Sequence, residues 1–245
     1  MRYLALAVDY DGTLASGGVV AAPVVHALER LKQSGRKLLL VTGREMDEIV
    51  EIFPELYLFD QVVAENGAIL YRPQDRSEKY LAARPPQKFV AELRRRNISP
   101  LSVGRVIIAA NAIAAPQILD AIRESGLDLE IIFNKRSVMV LRRGVDKATG
   151  LRLAVDELQI TSSELVAVGD GENDIPMLEM AGCGAAVGGA LEPVKQAADI
   201  VLSADAGEGV NELIDRMLGE RGMTETQPAP LESNQLPKNG ERGRA

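Results

Sequence analysis

The chain has 245 residues, 46% hydrophobic, 26% charged and 4% aromatic, with no Trp and a net charge of −7. That ordinary balance excludes collagen-like, fibrous and wholly disordered classes, and the length suits one large domain or two small ones. The first apolar run, Tyr3 to Val8, is cut by Asp9. It is too short for a signal-peptide core or a membrane span, which need at least about 7 and about 18 apolar residues. A lone cysteine, Cys183, closes no internal disulfide, so a cytoplasmic protein is expected. Charge is uneven: residues 84–143 hold eleven Lys and Arg against five Asp and Glu, inside an otherwise acidic chain. An acidic body repels nucleic-acid phosphates, so nucleic acid is not the expected partner; no later run is apolar for long enough to span a membrane, so a membrane is not expected either. The pattern leaves the oligomeric state open. The Arg94-Arg95-Arg96 run reads first as a solvated face.

Taken in order, Tyr3 to Val8 is continuous rather than alternating, which suits a strand buried on both faces of a parallel sheet. It ends in Asp9-Tyr10-Asp11-Gly12-Thr13. Pro23 is placed like a first helical residue, Val24, Ala27, Leu28 and Leu31 form an apolar stripe, and Gly35 is a stop. His26, in that helix, reads as a surface or packing residue. Lys37 to Val41 is a second strand, and Met46, Ile49, Val50 and Phe53 repeat at helical spacing until Pro54. Gln61 to Ala64 and Ala68 to Tyr71 read as short strands around Glu65-Asn66-Gly67-Ala68, where Asn-Gly signals a turn.

After Arg84 the rhythm changes. A helix over Pro86 to Asn97, a strand over Arg105 to Ala110, a helix over Pro116 to Ser125 and strands at Leu129 to Phe133 and Val138 to Leu141 make a small α+β unit. Asn134 to Ser137 turns the last two into a hairpin. From Asp146 helices and strands alternate again: Lys147 to Leu158, Leu165 to Gly169, Asp174 to Met180, Gly184 to Val187, Pro193 to Ala198, Ile200 to Leu202 and Val210 to Leu218. The expected fold is α/β, a doubly wound parallel Rossmann-like core with a small inserted α+β domain. The core takes residues 1–83 and 144–221, the insert 84–143. Residues 222–245, with Pro228, Pro230 and Pro237 and no apolar period, read as a disordered tail.

In an open parallel sheet, residues just past the strands' carboxyl ends have first claim on function. Asp9 and Asp11 follow the first strand. If the chain stays extended through Tyr10 their carboxylates share a side, and two close carboxylates raise the pKa of one, so a nucleophile or ligand can sit beside a proton carrier. The competing reading is a plain strand-ending turn. Thr42 and Gly43 offer a hydroxyl and backbone N–H groups to an anion; a helix N-cap competes. Lys147 opens a helix where the macrodipole disfavours a cation, as it would to neutralise a bound phosphate, unless it is a solvated lysine beside an Asp146 cap. Asp170 and Asp174 are one helical turn apart. With Asp9 they make an oxygen-only set suited to Mg²⁺, with calcium or an N-cap as alternatives. Together these are the parts of phosphoryl transfer.

Asp9-Tyr10-Asp11-Gly12-Thr13-Leu14, Val41-Thr42-Gly43-Arg44, Lys147 and Gly169-Asp170-Gly171-Glu172-Asn173-Asp174 resemble the four motifs of the haloacid dehalogenase (HAD) superfamily of phosphatases, over about residues 1–218. Tyr10 stands where many relatives have Leu or Phe. Thr13 and Thr42 are separated by 28 residues and Thr42 and Lys147 by 104, so the insert follows the second motif, which resembles the type IIB cap of Cof-type, sucrose-phosphate and archaeal phosphoglycolate phosphatases. The resemblance implies Asp9 as nucleophile and Mg²⁺ ligand, and Asp11 as general acid and base whose backbone carbonyl also meets the metal. It implies Thr42, Gly43, Lys147 and Asn173 around the phosphoryl group, and Asp170 and Asp174 at the metal. The implied function is Mg²⁺-dependent hydrolysis of a small phosphorylated metabolite, phosphoglycolate or a sugar phosphate, through an aspartyl-phosphate. Phosphohexomutase-like transfer and a weakly catalytic phospho-ligand sensor are the competing readings. Arg105, Lys135 and Arg136 are the basic insert residues that could meet a second anionic group.

Overall fold

The computed structural model describes residues 2–219; the expected tail, 222–245, lies outside the described residues. Three strands form the centre of the molecule: β1 (Ala5–Asp9), β2 (Lys37–Val41) and β10 (Leu165–Gly169). Every residue of β1 and β10 is buried, and all of β2 except Lys37. A strand covered on both faces has no polar side, which is why its sequence is an unbroken apolar run. β1 pairs in parallel with both neighbours, Asp9 opposite Val41 and Val8 opposite Val168. The carboxyl ends of all three strands therefore finish at one edge.

The sheet extends through β3 (Gln61–Ala64) on one side and through β11 (Cys183–Ala186) and β12 (Ile200–Val201) on the other. Two antiparallel strands, β4 (Ile69–Arg72) and β5 (Ser77–Tyr80), close the first side, giving the order β12-β11-β10-β1-β2-β3-β4-β5 among the described residues. The strand order reverses at β1, so its carboxyl end opens on the crevice where doubly wound sheets bind ligands. Helices α1 (Ala22–Gln33), α2 (Met46–Ile52), α5 (Lys147–Glu157), α6 (Ile175–Met180) and α7 (Glu192–Ala197) lead from one strand to the next, and α8 (Ala206–Met217) follows β12. α1 buries Val24, Ala27, Leu28 and Leu31, the stripe expected from its period, while His26 is exposed. No helix among the described residues is long and apolar enough to cross a membrane.

The insert carries its own sheet, β6 (Leu101–Val103), β7 (Ile108–Asn111), β9 (Ser137–Arg142) and β8 (Leu129–Asn134) in that order, with α3 (Gln87–Arg95) and α4 (Ala115–Ser125) against it. Phe89, Leu93, Ile118, Val138 and Val140 share a separate small core. Met139 and Leu141, the alternate residues of β9, belong instead to the large core together with Val106 and Ile107. β9 is thus another run buried on both faces, one face on the insert's helices and the other on the main body.

The structure departs from the sequence pattern at four elements. β5 has no counterpart in that pattern: its four residues are polar or exposed, as suits a sheet edge. β6, only three residues long, has none either. The strand expected over Arg105 to Ala110 runs over Ile108–Asn111, because the amides of Arg105, Val106 and Ile107 all donate to the Glu65 carboxylate rather than to a neighbouring strand. The final helix starts earlier than Val210, at Ala206.

Candidate active site

Asp9 is the last residue of β1, and Asp170 follows β10 directly; both are buried. The loop after β10 turns back through Gly171 so that the Asp174 Oδ2 accepts hydrogen bonds from the amides of Asp170 and Gly171, each 2.9 Å. That closure folds Asp174 in beside Asp9. One carboxylate oxygen from each of Asp9, Asp170 and Asp174 lies within 4.8 Å of the others.

Lys147 is the first residue of α5, whose N-cap is a capping box between Asp146 and Thr149. A cation at that end opposes the helix dipole, and its side chain is only 1% exposed. Burial works against its charge, but the carboxylates of Asp174 and Asp9 outweigh burial and hold its pKa above the usual lysine range. Its Nζ donates to Asp9 Oδ1 and Asp174 Oδ1 at 2.5 Å each. The solvated-lysine reading is therefore overturned. For Asp9, burial first and then the Asp174 charge push the pKa up to about 7, with Lys147 opposing. Burial also raises Asp170, with Lys135 opposing.

Three buried carboxylates against Lys147 and Lys135 leave one formal negative charge in excess. An all-oxygen, anionic set of this kind fits a hard divalent cation such as Mg²⁺.

Asp11 stands apart from this cluster. The chain leaves the strand at Asp9 and folds into a tight loop, with the amide of Leu14 on the carbonyls of Asp9 and Tyr10. The Asp11 carboxylate instead meets Arg44, whose Nε and Nη2 donate to its two oxygens at 2.7 Å each. This pair raises the Arg44 pKa. Arg44 also binds Glu48 and lies over the Tyr10 ring, 5.4 Å from its centroid. Tyr10 is fully buried and donates to the Gly18 carbonyl at 3.0 Å.

Thr42 is fully buried and its Oγ1 accepts the Arg44 amide at 3.1 Å. It is not a helix N-cap: α2 begins at Met46, after Glu45. Any anion at Thr42 and Gly43 would therefore meet loop amides rather than a helix end. A Cβ on Gly43 would come within 3.8 Å of Asn173 Nδ2 and 3.3 Å of Met139 Sδ. Asn173 is buried and donates to Asn66 Oδ1 at 2.9 Å. Thr13 Oγ1, Asn66 Nδ2, Asn134 Oδ1 and Asn173 Oδ1 are buried without a partner, an unusual concentration of unspent polar atoms.

The insert reaches into this edge. Lys135 Nζ lies 2.5 Å from Asp170 Oδ2, and its amide donates to Glu172 Oε2 at 2.9 Å. Arg105, equally a candidate in the sequence, binds Asp47 of α2 and Glu78 of β5. Sequence reasoning missed Arg44, Glu65 and Asn66 as parts of this region. Arg44 stood inside a quoted motif, whereas nothing local marks Glu65 as the acceptor for the amides of residues 105–107.

Residues 6–104 and 94–214 match the model of the haloacid dehalogenase-like hydrolases, and the chain belongs to that family. It is 30% identical over 217 residues to phosphoglycolate phosphatase 2 of Saccharolobus solfataricus, covering 87% of this chain and 91% of that protein. Among solved structures, a Bacteroides thetaiotaomicron phosphatase of the superfamily superposes with a TM-score of 0.71 at 27% identity, covering 89% of this chain and 96% of that one. A sugar phosphatase of HAD subclass IIB shares the fold, with a TM-score of 0.70 at 22% identity over 88% of this chain and 98% of that chain. The protein is an enzyme, a phosphatase of this family.

Proposed function

We propose that the chain is a Mg²⁺-dependent phosphomonoesterase that hydrolyses a small phosphorylated metabolite, phosphoglycolate or a sugar phosphate, through an aspartyl-phosphate on Asp9. Residues 1–83 and 144–221 form the catalytic core and residues 84–143 the cap. The observation that carries this reading is the buried Asp9–Asp170–Asp174 triad, with Lys147 bridging Asp9 and Asp174 at the carboxyl edge of the sheet. The 30% identity to a phosphoglycolate phosphatase supports the substrate class.

Asp9, Asp170 and Asp174, with the Asp11 carbonyl, would hold Mg²⁺, which when bound neutralises charge on the phosphoryl oxygens. Asp9 attacks phosphorus in line while Lys147 stabilises the charge spread over the transferring group. Thr42 and the amides about Gly43 orient that group, with Asn173 beside it. Asp11, released from Arg44 and protonated, donates to the leaving alkoxide as its bond to phosphorus breaks. Asp11 then takes a proton from the water that cleaves the aspartyl-phosphate, freeing phosphate and restoring Asp9. The cap excludes bulk water while this happens.

Phosphate release is measured from phosphoglycolate, sugar phosphates and nucleotides with Mg²⁺, with EDTA and with Asp9→Asn. Turnover on a small phosphomonoester that disappears under EDTA and in the variant is expected. Folded protein that releases phosphate from none of them, or whose turnover survives Asp9→Asn, overturns the reading.

A further inference from the structure

The tip of the β8–β9 hairpin is built in an unusual way. Asn134 pairs with Ser137, leaving Lys135 and Arg136 as a two-residue loop. Lys135 adopts φ +53, a left-handed conformation that Asn or Gly would take at less cost. A strained residue is retained where its surroundings over-determine it. Here the surroundings are the core: the Lys135 amide is held by Glu172 at 2.9 Å, so the loop is docked on the segment that carries Asp170 and Asp174.

From that tip the ammonium reaches the floor of the site. A Cβ on Gly12, between Asp11 and Thr13, would lie 2.2 Å from Asp170 Oδ2 and 3.0 Å from Lys135 Nζ. Gly12 thus leaves the space in which the lysine and Asp170 meet, and its φ of +82 keeps the position difficult for any other residue. The side chain stays 42% exposed, so it can change partner. Three of the other basic cap residues are engaged elsewhere, Arg105 with Asp47 and Glu78, Arg96 with Glu92 and Glu124, and Arg143 with Asp128, and of the described cap cations Lys135 is the one paired with a carboxylate of the candidate site.

The site therefore has two ammonium groups in different settings. Lys147 is sealed between Asp9 and Asp174 and belongs to the phosphoryl end. Lys135 comes from the cap, and its ion-pair partner, Asp170, is a carboxylate that the proposed cation would also use. We propose that Lys135 is the specificity-determining residue of this enzyme, binding a carboxylate on the leaving alcohol and so selecting phosphomonoesters that carry a second negative charge. This rests on the phosphatase reading above.

The test compares wild type, Lys135→Met and Lys135→Arg on phosphoglycolate and on 2-hydroxyethyl phosphate, which has similar size but no carboxylate. Lys135→Met removes a charge-assisted hydrogen bond to the substrate carboxylate and so lowers kcat/KM for phosphoglycolate by about 10- to 100-fold, chiefly through KM. The fall on 2-hydroxyethyl phosphate should be about ten times smaller or less, and Lys135→Arg should restore part of the activity. Equal falls on both esters, or no fall on phosphoglycolate, overturn the proposal. Calorimetric binding of phosphoglycolate in an Asp9→Asn background separates it from the catalytic reading. Weaker binding on adding Lys135→Met supports the role of Lys135 even if wild type turns over neither ester, whereas unchanged binding overturns it.

Discussion

Gly150 lies in the first turns of α5, three positions past Lys147, and replacing it with Ala sets two effects of opposite sign against each other. Helix propensity alone makes Gly150→Ala stabilising by about 1 kcal/mol. Against that, a Cβ at Gly150 would stand 2.6 Å from Val63 Cγ1, 2.7 Å from Gly67 Cα and 2.8 Å from the Gly67 oxygen. Val63 could turn aside, but the other two atoms are backbone. Gly67 itself has φ +105, and a Cβ on it would come 1.9 Å from the Asp146 oxygen. Helix and turn are therefore in backbone contact, and the clash is relieved only by moving α5. Overpacking of this kind costs about 1 to 3 kcal/mol, and rigid neighbours place it toward the upper end. The net expectation is a loss of about 1 to 2 kcal/mol once propensity is subtracted. At about 2 to 4 °C per kcal/mol for a protein of this size, Tm should fall by roughly 2 to 8 °C. Because Lys147 opens the same helix, turnover should fall as well, by up to about 100-fold for a displacement near 1 Å. Urea and thermal unfolding, with phosphate release from the same samples, measure both. A variant about 1 kcal/mol more stable than wild type, with unchanged turnover, would refute the reasoning.

Glu65→Ala removes the acceptor for the amides of Arg105, Val106 and Ile107 where cap meets core, and a loss of about 1 to 3 kcal/mol is expected, with Glu65→Gln losing less. Hydrogen exchange at those three amides checks it, and unchanged protection in Glu65→Ala would contradict the role of this carboxylate. Glu212 accepts from the Ser203 amide and hydroxyl and from Arg216. Burial alone would raise its pKa, but these donors outweigh burial and hold it below the ordinary 4.5. Its ionised form is thus favoured on folding, so this stabilisation is present above about pH 4.5 and lost as pH falls through the lower folded value. In Glu212→Gln, unfolding free energy should depend less steeply on pH between about 5 and 3; an unaltered slope would show that Glu212 is not favoured as an anion.

The central strands were legible because each residue's burial follows from its own position. β2 and β10 occupy the ranges that their apolar runs marked, since strands covered on both faces carry no polar alternation. Pro23 and Pro116 near helix starts, and Gly126 in the left-handed conformation after α4, are equally local signals. The polar residues that follow the strands could be singled out for the same reason, as carboxyl ends are places along a chain.

Partners are a different matter, because they depend on strand order and register. Only the placement of β1 between β2 and β10 brings Asp9 to Asp174 and puts Lys147 between them. Spacing alone could set Asp11 beside Asp9, but the tight loop after the strand turned it to Arg44. Glu65 drew the amides of residues 105–107 out of a strand whose pattern was sound. Arg105 and Lys135 had equal standing in the sequence, yet docking sent Arg105 to the core's outer acids and Lys135 to Asp170. Periodicity reports which residues are covered; which charge meets which is decided by how the covered surfaces are stacked.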